Sequence, residues 1–269
     1  MLKMNEIIGS HDLLFITLDT LRFDVADKLF EQARTPNLAS VLPATGWEAR
    51  QSPGNFTFAA HAAFFAGFLP TPIKPGRHPR LFAARFPGSE TTGQHTFVFD
   101  APDIVTGLYG IGYHTICIGG VGFFNKQSPL GSIFPNLFAE SYWSAELGVT
   151  NPNSTANQVA LARQLLARVA ESQRVFLFVN ISALHQPNYF YLEGASTDTI
   201  DSHAAALVYV DRQLPALFEA MQRRAPTLVI ICSDHGTAYG EDGYFGHRVA
   251  HHVIWTVPYA EFILPEIRS

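Results

Sequence analysis

Apolar runs of strand length alternate with segments of helical periodicity along this chain of 269 residues. The runs predict strands at residues 13–18, 112–118, 175–181, 228–232 and 257–264. Helical patterns predict helices at residues 35–42, 57–67, 154–171 and 201–223. Strands that alternate with helices form parallel sheets covered on both faces, so the pattern predicts a three-layer α/β fold with a mainly parallel central sheet.

Two segments interrupt this regular pattern. Pro215 lies inside the last predicted helix and should kink or break it, because proline removes a backbone donor and clashes with the preceding turn. Residues 70–96 are rich in Pro, Gly, Arg and His without periodicity, which predicts a long surface excursion, such as a lid or rim of an active site. Nothing marks a domain boundary, so residues 1–269 are expected to form a single domain.

Composition narrows the class of protein. The formal net charge of −5 argues against a binder of duplex nucleic acid. No apolar stretch approaches the ~20 residues of a membrane-spanning helix, and the N-terminus lacks the layout of a secretory signal. Cys117 and Cys232 lie in apolar runs and are expected to be buried free thiols. These features together predict a cytoplasmic protein without a membrane span.

Metal-ligating side chains follow the predicted strands. Asp19 comes directly after the first strand, and Asp234 and His235 follow the strand at 228–232. Because the carboxyl ends of parallel strands meet at one edge of a sheet, two carboxylates and an imidazole there suit a divalent metal. Thr57 opens a helix, where the free N–H groups and the helix dipole favour anions. Each residue also has a plain structural explanation, such as a helix cap or a turn.

The order of these motifs resembles that of the alkaline phosphatase and sulfatase-like superfamily. LFITLDTLRFD resembles its first metal-binding strand, and LVIICSDHG resembles its last one. GEDGYFGHRVAHHVIWTVP is similar to the loop that closes the sulfatase site. TFAAHAAFFAGFLP resembles the nucleophile helix of the nucleotide pyrophosphatase branch, with the pattern residues Thr57, Phe58, His61, Gly67 and Pro70.

The resemblance implies roles for individual residues. Asp19, Asp234 and His235 would bind the metal, and Thr57 would be the nucleophile that also contacts it. His247 would act in catalysis, as a substrate or metal ligand, and His185 in SALHQP would be a general acid or a substrate ligand. Three further residues are predicted substrate contacts with weaker support: Asn55, which is otherwise a turn former, His61, and His251, which is otherwise structural or exposed.

The chain also departs from the sulfatase pattern. The formylglycine motif is replaced by Thr57, Ala59 and His61, so the aldehyde-hydrate route to sulfate-ester cleavage is not expected. The Asp-His pair suits zinc or manganese better than calcium. One ion is predicted, whereas a second is in question because Asp198 and His203 are five residues apart instead of four. The chain is short for the superfamily and is expected to lack a large C-terminal subdomain, which leaves an open site or one completed by a homo-oligomer or a partner chain.

The predicted activity is metal-dependent hydrolysis of a small-molecule phosphate monoester or diester, or of a phosphonate ester, through a Thr57 covalent intermediate. One alternative is a soluble phospho-group transferase with the same core. Another is a catalytically degenerate domain that binds a metal or an anion.

Overall fold

The predicted apolar runs form the middle of a mixed sheet in the computed structural model, which describes residues 2–87 and 93–267. The strands are β1 (Asp12–Leu18), β2 (Glu48–Gln51), β3 (Thr71–Pro72), β4 (Phe82–Ala84), β5 (Phe97–Phe99), β6 (His114–Ile118), β7 (Glu140–Tyr142), β8 (Val175–Ile181), β9 (Thr227–Cys232), β10 (Ala238–Tyr239), β11 (Phe245–Gly246) and β12 (Thr256–Leu264). The helices are α1 (Met4–Ile7), α2 (Phe23–Glu31), α3 (Pro36–Ala39), α4 (Thr57–Phe65), α5 (Ile104–Gly110), α6 (Pro129–Ser132), α7 (Ser154–Leu166), α8 (Ile200–Gln222) and α9 (His252–Trp255).

The central sheet has eight strands in the order β3–β2–β12–β9–β1–β8–β6–β7. β9, β1, β8, β6 and β7 run parallel, whereas β12, β2 and β3 add an antiparallel edge. Every residue of β1, β8 and β9 is buried, which is why these strands read as continuous apolar runs in the sequence. The predicted α/β fold with a mainly parallel sheet is confirmed.

Helices cover both faces of the sheet. On one face, α2, α7 and α8 contribute Val25, Val159 and Leu214 to one hydrophobic cluster. On the other face, α4 and α5 contribute Phe64 and Val105 to a second, phenylalanine-rich cluster. Burial of apolar side chains on both faces holds the three layers together and fixes which strand ends meet at the edge of the sheet.

Pro215 was predicted to kink or break the last helix, and a break does not occur. α8 continues through the proline as one helix of 23 residues. Leu214 and Leu217 are fully buried on either side of Pro215. Tertiary packing of this apolar face therefore outweighs the backbone hydrogen bond that proline removes. Helix α7 ends at Leu166, earlier than the predicted residue 171, and α2 was not predicted at all.

The described part of residues 70–96 lies at the antiparallel edge of the sheet. β3 pairs with β2 there, and the segment helps to line a cavity of about 590 Å³ with Arg50 and Tyr259. Asn5 binds Gly93 and Gln94, which ties the far end of the segment to α1. Residues 88–92 of this segment fall outside the described residues. The proposed role as a lid stays a prediction.

Two further findings concern the cysteines and the length of the apolar helices. Cys117 and Cys232 are both buried free thiols, as predicted. Among the helices of the described residues, none is long and apolar enough to cross a membrane.

Candidate metal centre and active site

Strands β1 and β9 lie side by side and bring Asp19, Asp234 and His235 to the same edge of the sheet. These three side chains are fully buried, and each offers a ligand atom within 4.8 Å of the others. Thr57, the first residue of α4, joins them: its Oγ1 lies 3.3 Å from His235 Nε2. The four residues that the sequence predicts as the core of the site are therefore brought together.

In each of the two carboxylates, one oxygen accepts hydrogen bonds from the protein and the other does not. Asp19 Oδ2 accepts a hydrogen bond from Asn180 Nδ2 at 3.1 Å. Asp234 Oδ1 accepts from the backbone N–H groups of Thr20 (3.1 Å) and His235 (3.0 Å). The second oxygens, Asp19 Oδ1 and Asp234 Oδ2, are buried without a hydrogen-bond partner among the described residues. Buried carboxylate oxygens without partners are costly, and a cation between them would satisfy both.

One ring nitrogen of His235 is also held by the protein, while the other faces the carboxylates. Its Nδ1–H donates to the carbonyl oxygen of Gly236 at 2.9 Å, which leaves the Nε2 lone pair directed towards Thr57 and Asp234. A backbone carbonyl behind the ring is a common support for a metal-binding histidine. Two carboxylate oxygens, one imidazole nitrogen and one hydroxyl form a donor set that fits zinc or manganese.

His61 does not occupy a substrate position, and this prediction is corrected. Its ring is fully buried, Nδ1 lies 2.8 Å from the Thr57 carbonyl oxygen, and Nε2 lies 3.0 Å from Thr17 Oγ1. Both ring nitrogens are thus engaged inside the protein. Burial lowers the pKa of His61 to about 3, so the ring is neutral. His61 connects the first turn of α4 to β1 and so fixes the position of Thr57.

Asn180 is a supporting residue that the sequence analysis missed. Its amide nitrogen donates to Asp19 and Thr17, and its Oδ1 accepts from the backbone N–H groups of Gly120 and Val121. An asparagine inside the apolar run of β8 was the signal that could have revealed it, because a buried amide needs several partners.

His185 and His247 lie next to the metal-binding cluster. The His247 ring centroid is 4.6 Å from that of His235 and 5.6 Å from that of His185. His247 is not part of the set of ligand atoms within 4.8 Å of one another, so its role as a metal ligand is left unsupported among the described residues. Burial, with smaller contributions from the charges of His235, His185 and Arg248, lowers the pKa of His247 to about 3.

The remaining predicted residues lie at the edge of the site or outside it. His251 caps α9, and its Nε2 is 3.0 Å from Asp242 Oδ2. These contacts support a structural role for His251 and not a contact with substrate. The Asn55 carbonyl oxygen accepts a hydrogen bond from the Arg248 N–H at 3.0 Å. Asp198 caps the backbone at Asn188 and Tyr189 instead of joining His203 in a second metal site.

A buried polar network supports the loops that carry His185 and His247. Arg22, which is 3% exposed, pairs with Glu241, and Glu241 accepts from the backbone N–H of Tyr239 at 2.6 Å. The Tyr239 hydroxyl accepts from Asn188 Nδ2 at 2.9 Å, and Asn188 Nδ2 also donates to the Leu184 carbonyl oxygen at 3.0 Å. Both loops are therefore tied to the segment that follows β1.

The two buried carboxylates make a testable contribution to pH dependence in the absence of metal. Burial and the neighbouring charge of Asp234 raise the pKa of Asp19 to about 6, and burial raises the pKa of Asp234 to about 7. Between pH 4 and 7 the folded state then holds more protons than the unfolded state, so stability decreases as the pH rises. The Asp234→Asn substitution removes the contribution of Asp234. It also removes the neighbouring negative charge that raises the pKa of Asp19.

We therefore expect the metal-free Asp234→Asn variant to gain stability over the wild type as the pH rises from 5 to 8, by on the order of 2 kcal/mol. Urea denaturation with a chelator present measures this difference. Because the buried neutral histidines titrate alike in both proteins, their opposite contribution cancels. A difference that is constant across this range would contradict the assignment of raised pKa values.

The fold is that of the alkaline phosphatase and sulfatase-like superfamily. The family model described as Sulfatase matches residues 11–259, so the chain belongs to the sulfatase family. Members of the superfamily are enzymes that act on phosphate or sulfate esters. No curated protein matches the chain by sequence.

Solved structures similar to this chain share its fold at low sequence identity. The C-terminal periplasmic domain of phosphoethanolamine transferase EptC from Campylobacter jejuni is 15% identical with a TM-score of 0.62, covering 98% of this chain and 83% of that one. The corresponding domain from Escherichia coli, in complex with zinc, is 12% identical with a TM-score of 0.63, covering 94% and 72%. The lipoteichoic acid synthase LtaP from Listeria monocytogenes is 14% identical with a TM-score of 0.58, covering 99% and 72%.

Proposed function

We propose that this protein cleaves a phosphate monoester or diester, or a phosphonate ester, through a covalent intermediate on Thr57. The observation that carries the proposal is the set of free donor atoms on Asp19, Asp234 and His235 beside the Thr57 hydroxyl. A catalytically degenerate domain would not need to keep a hydroxyl at this position. The donor set supports one divalent ion, zinc or manganese, and the zinc complex of EptC from Escherichia coli adds to the case for zinc.

The bound ion would lower the pKa of the Thr57 hydroxyl and offset charge on the reacting group. The Thr57 oxygen loses its proton to solvent and attacks phosphorus, forming an O–P bond as the bond to the leaving oxygen breaks. His185 is the proposed donor of a proton to that oxygen. His247, whose lowered pKa keeps it neutral, is better suited to donate an N–H hydrogen bond to a substrate oxygen. Water then attacks phosphorus, the bond from phosphorus to the Thr57 oxygen breaks, and Thr57 regains a proton. The product is phosphate from a monoester, a phosphate monoester from a diester, or a phosphonate from a phosphonate ester.

A transferase is the second candidate, and the similarity to two phosphoethanolamine transferase domains favours it. In that reaction an alcohol, instead of water, would attack the phosphothreonine. The chemistry up to the covalent intermediate is the same, so the site geometry supports both outcomes. A fold shared at such low identity does not decide between them.

The proposal is tested by loading metal-free protein with Mn²⁺ or Zn²⁺ and assaying aryl phosphate, phosphate diester, phosphonate and sulfate esters. Turnover of a phosphorus ester with little turnover of the sulfate ester is the expected result. Dominant sulfate cleavage would overturn the argument from the missing formylglycine motif. Adding glycerol and measuring the ratio of glycerol phosphate to inorganic phosphate separates transfer from hydrolysis.

The cytoplasmic location and any oligomer or partner chain that completes the site also stay proposals. Buried free thiols support the cytoplasmic location. The EptC neighbours are periplasmic domains and give it no support.

A further inference from the structure

Arg248 lies directly beside the loop that leads to the nucleophile. Its backbone N–H donates to the Asn55 carbonyl oxygen at 3.0 Å. Its guanidinium carbon is 5.6 Å from the ring centroid of Phe56, the residue before Thr57. The preceding residue, His247, places its ring against that of His235. Arg248 is therefore held at the rim of the metal-binding cluster from two sides.

The backbone of Arg248 is held in an uncommon conformation. Its φ angle is 69°, in the left-handed region that is unfavourable for a residue other than glycine. A glycine at this position would adopt that conformation without the cost. Strained residues of this kind are concentrated at ligand-binding and catalytic sites, where the direction of the side chain matters.

The charge of Arg248 is also available to a ligand. The side chain is exposed, and among the described residues no carboxylate lies within ion-pairing distance of it. By contrast, the other arginine near the site, Arg22, is buried and paired with Asp24 and Glu241. Arginine keeps its charge at every accessible pH and binds phosphate oxygens with two parallel N–H groups.

We propose that Arg248 is a specificity residue that binds the second negative charge of the substrate, which makes a phosphate monoester dianion the preferred substrate class. This inference rests on the proposed function. A divalent ion held by Asp19, Asp234 and His235 would be balanced by the two carboxylates, so the Arg248 guanidinium would be left to offset charge on the ester. A phosphate monoester carries that additional charge, whereas a diester or a phosphonate monoester does not.

The test compares two substrates with the same leaving group, 4-nitrophenyl phosphate and its methyl diester, at pH 8. The Arg248→Gln variant should lower kcat/KM for the monoester by about 10–100-fold and for the diester by less than about 3-fold. Arg248→Lys should restore part of the monoester activity, because it restores the charge without the paired N–H groups. Arg212→Gln, at an exposed position of α8, is the matched control and should change neither value.

Binding of inorganic phosphate to the Mn²⁺-loaded protein, measured by calorimetry, provides a readout without turnover. Arg248→Gln should weaken it by about 10-fold or more. If the wild type cleaves neither ester, the proposed function fails, while weaker phosphate binding by the variant would still support the role of Arg248. Equal losses on both esters, or unchanged phosphate binding, would overturn the inference and leave Arg248 as a residue that packs on Phe56.

Discussion

Replacing Thr57 with alanine is expected to lower kcat on a phosphorus ester by roughly 10³-fold or more, because the step through the covalent intermediate loses its nucleophile. The fold should be retained: the hydroxyl has no hydrogen-bond partner other than His235 Nε2 among the described residues. Metal affinity should fall only modestly, since the Asp19, Asp234 and His235 donors remain. Rapid quenching of the wild-type reaction followed by mass spectrometry should find phosphate on Thr57.

Two variants serve as controls for this result. Thr57→Ser keeps a hydroxyl at the start of α4 and should retain measurable turnover. Thr155→Ala makes the same change at another fully buried threonine, in α7 and outside the candidate site, and should leave kcat unchanged. If Thr57→Ala keeps more than about a tenth of the activity, water attacks the ester directly and the covalent route is wrong.

Replacing Asp19 with asparagine is expected to separate metal binding from folding stability. The variant removes one of the two buried charges, so affinity for Mn²⁺ or Zn²⁺ should fall by at least roughly 100-fold. The metal-free variant should be more stable than the metal-free wild type by about 1–3 kcal/mol at pH 7.5, because Asp19 Oδ1 no longer carries an unpaired buried charge. Melting curves with and without metal measure both effects.

Asp12→Asn is the matched control, because Asp12 is also fully buried and lies at the other end of β1. Asp12 is paired with Arg224 at 3.2 Å and Arg174 at 3.4 Å and accepts from the backbone N–H of Val175. Its replacement leaves two arginines without their partner, so the variant should be less stable with or without metal. Destabilisation of both variants to the same extent would show that Asp19 has an ordinary structural role.

The central strands of the sheet were predictable because burial requires apolar residues at nearly all of their positions. β1, β8 and β9 lie inside the sheet, so each of their residues is either apolar or hydrogen-bonded within the core. The resulting apolar runs have the length of a strand and can be recognised in the sequence. The edge strand β2 was missed since Glu48–Gln51 is largely exposed and is stabilised by pairing with β12, which lies about 200 residues later along the chain.

The meeting of the three candidate metal ligands was predictable for a related reason. Asp19, Asp234 and His235 follow core strands directly, so the position of each strand end fixes where they lie. The residues that support them could not be placed in this way. Asn180 and His61 act through partners that are distant in sequence, and Arg248 has its role only because the loop before Thr57 lies beside it. Of the kink or break predicted at Pro215, a break does not occur, because packing along α8 outweighs the local propensity of proline.

The placement of β1 between β8 and β9 also determines when the candidate metal site can form. The hydrogen bond from Thr20 to Asp234 joins residues 214 positions apart, and β1 meets both of its neighbours only after most of the chain has been made. Pairing across such distances is slow, since the entropy of closing the loop is lost before the contacts are gained. On the ribosome, Asp19 emerges early but has no partner donors until β9 follows. A metal bound at this candidate site would therefore be inserted late in biosynthesis, and a nearly complete sheet would be its prerequisite.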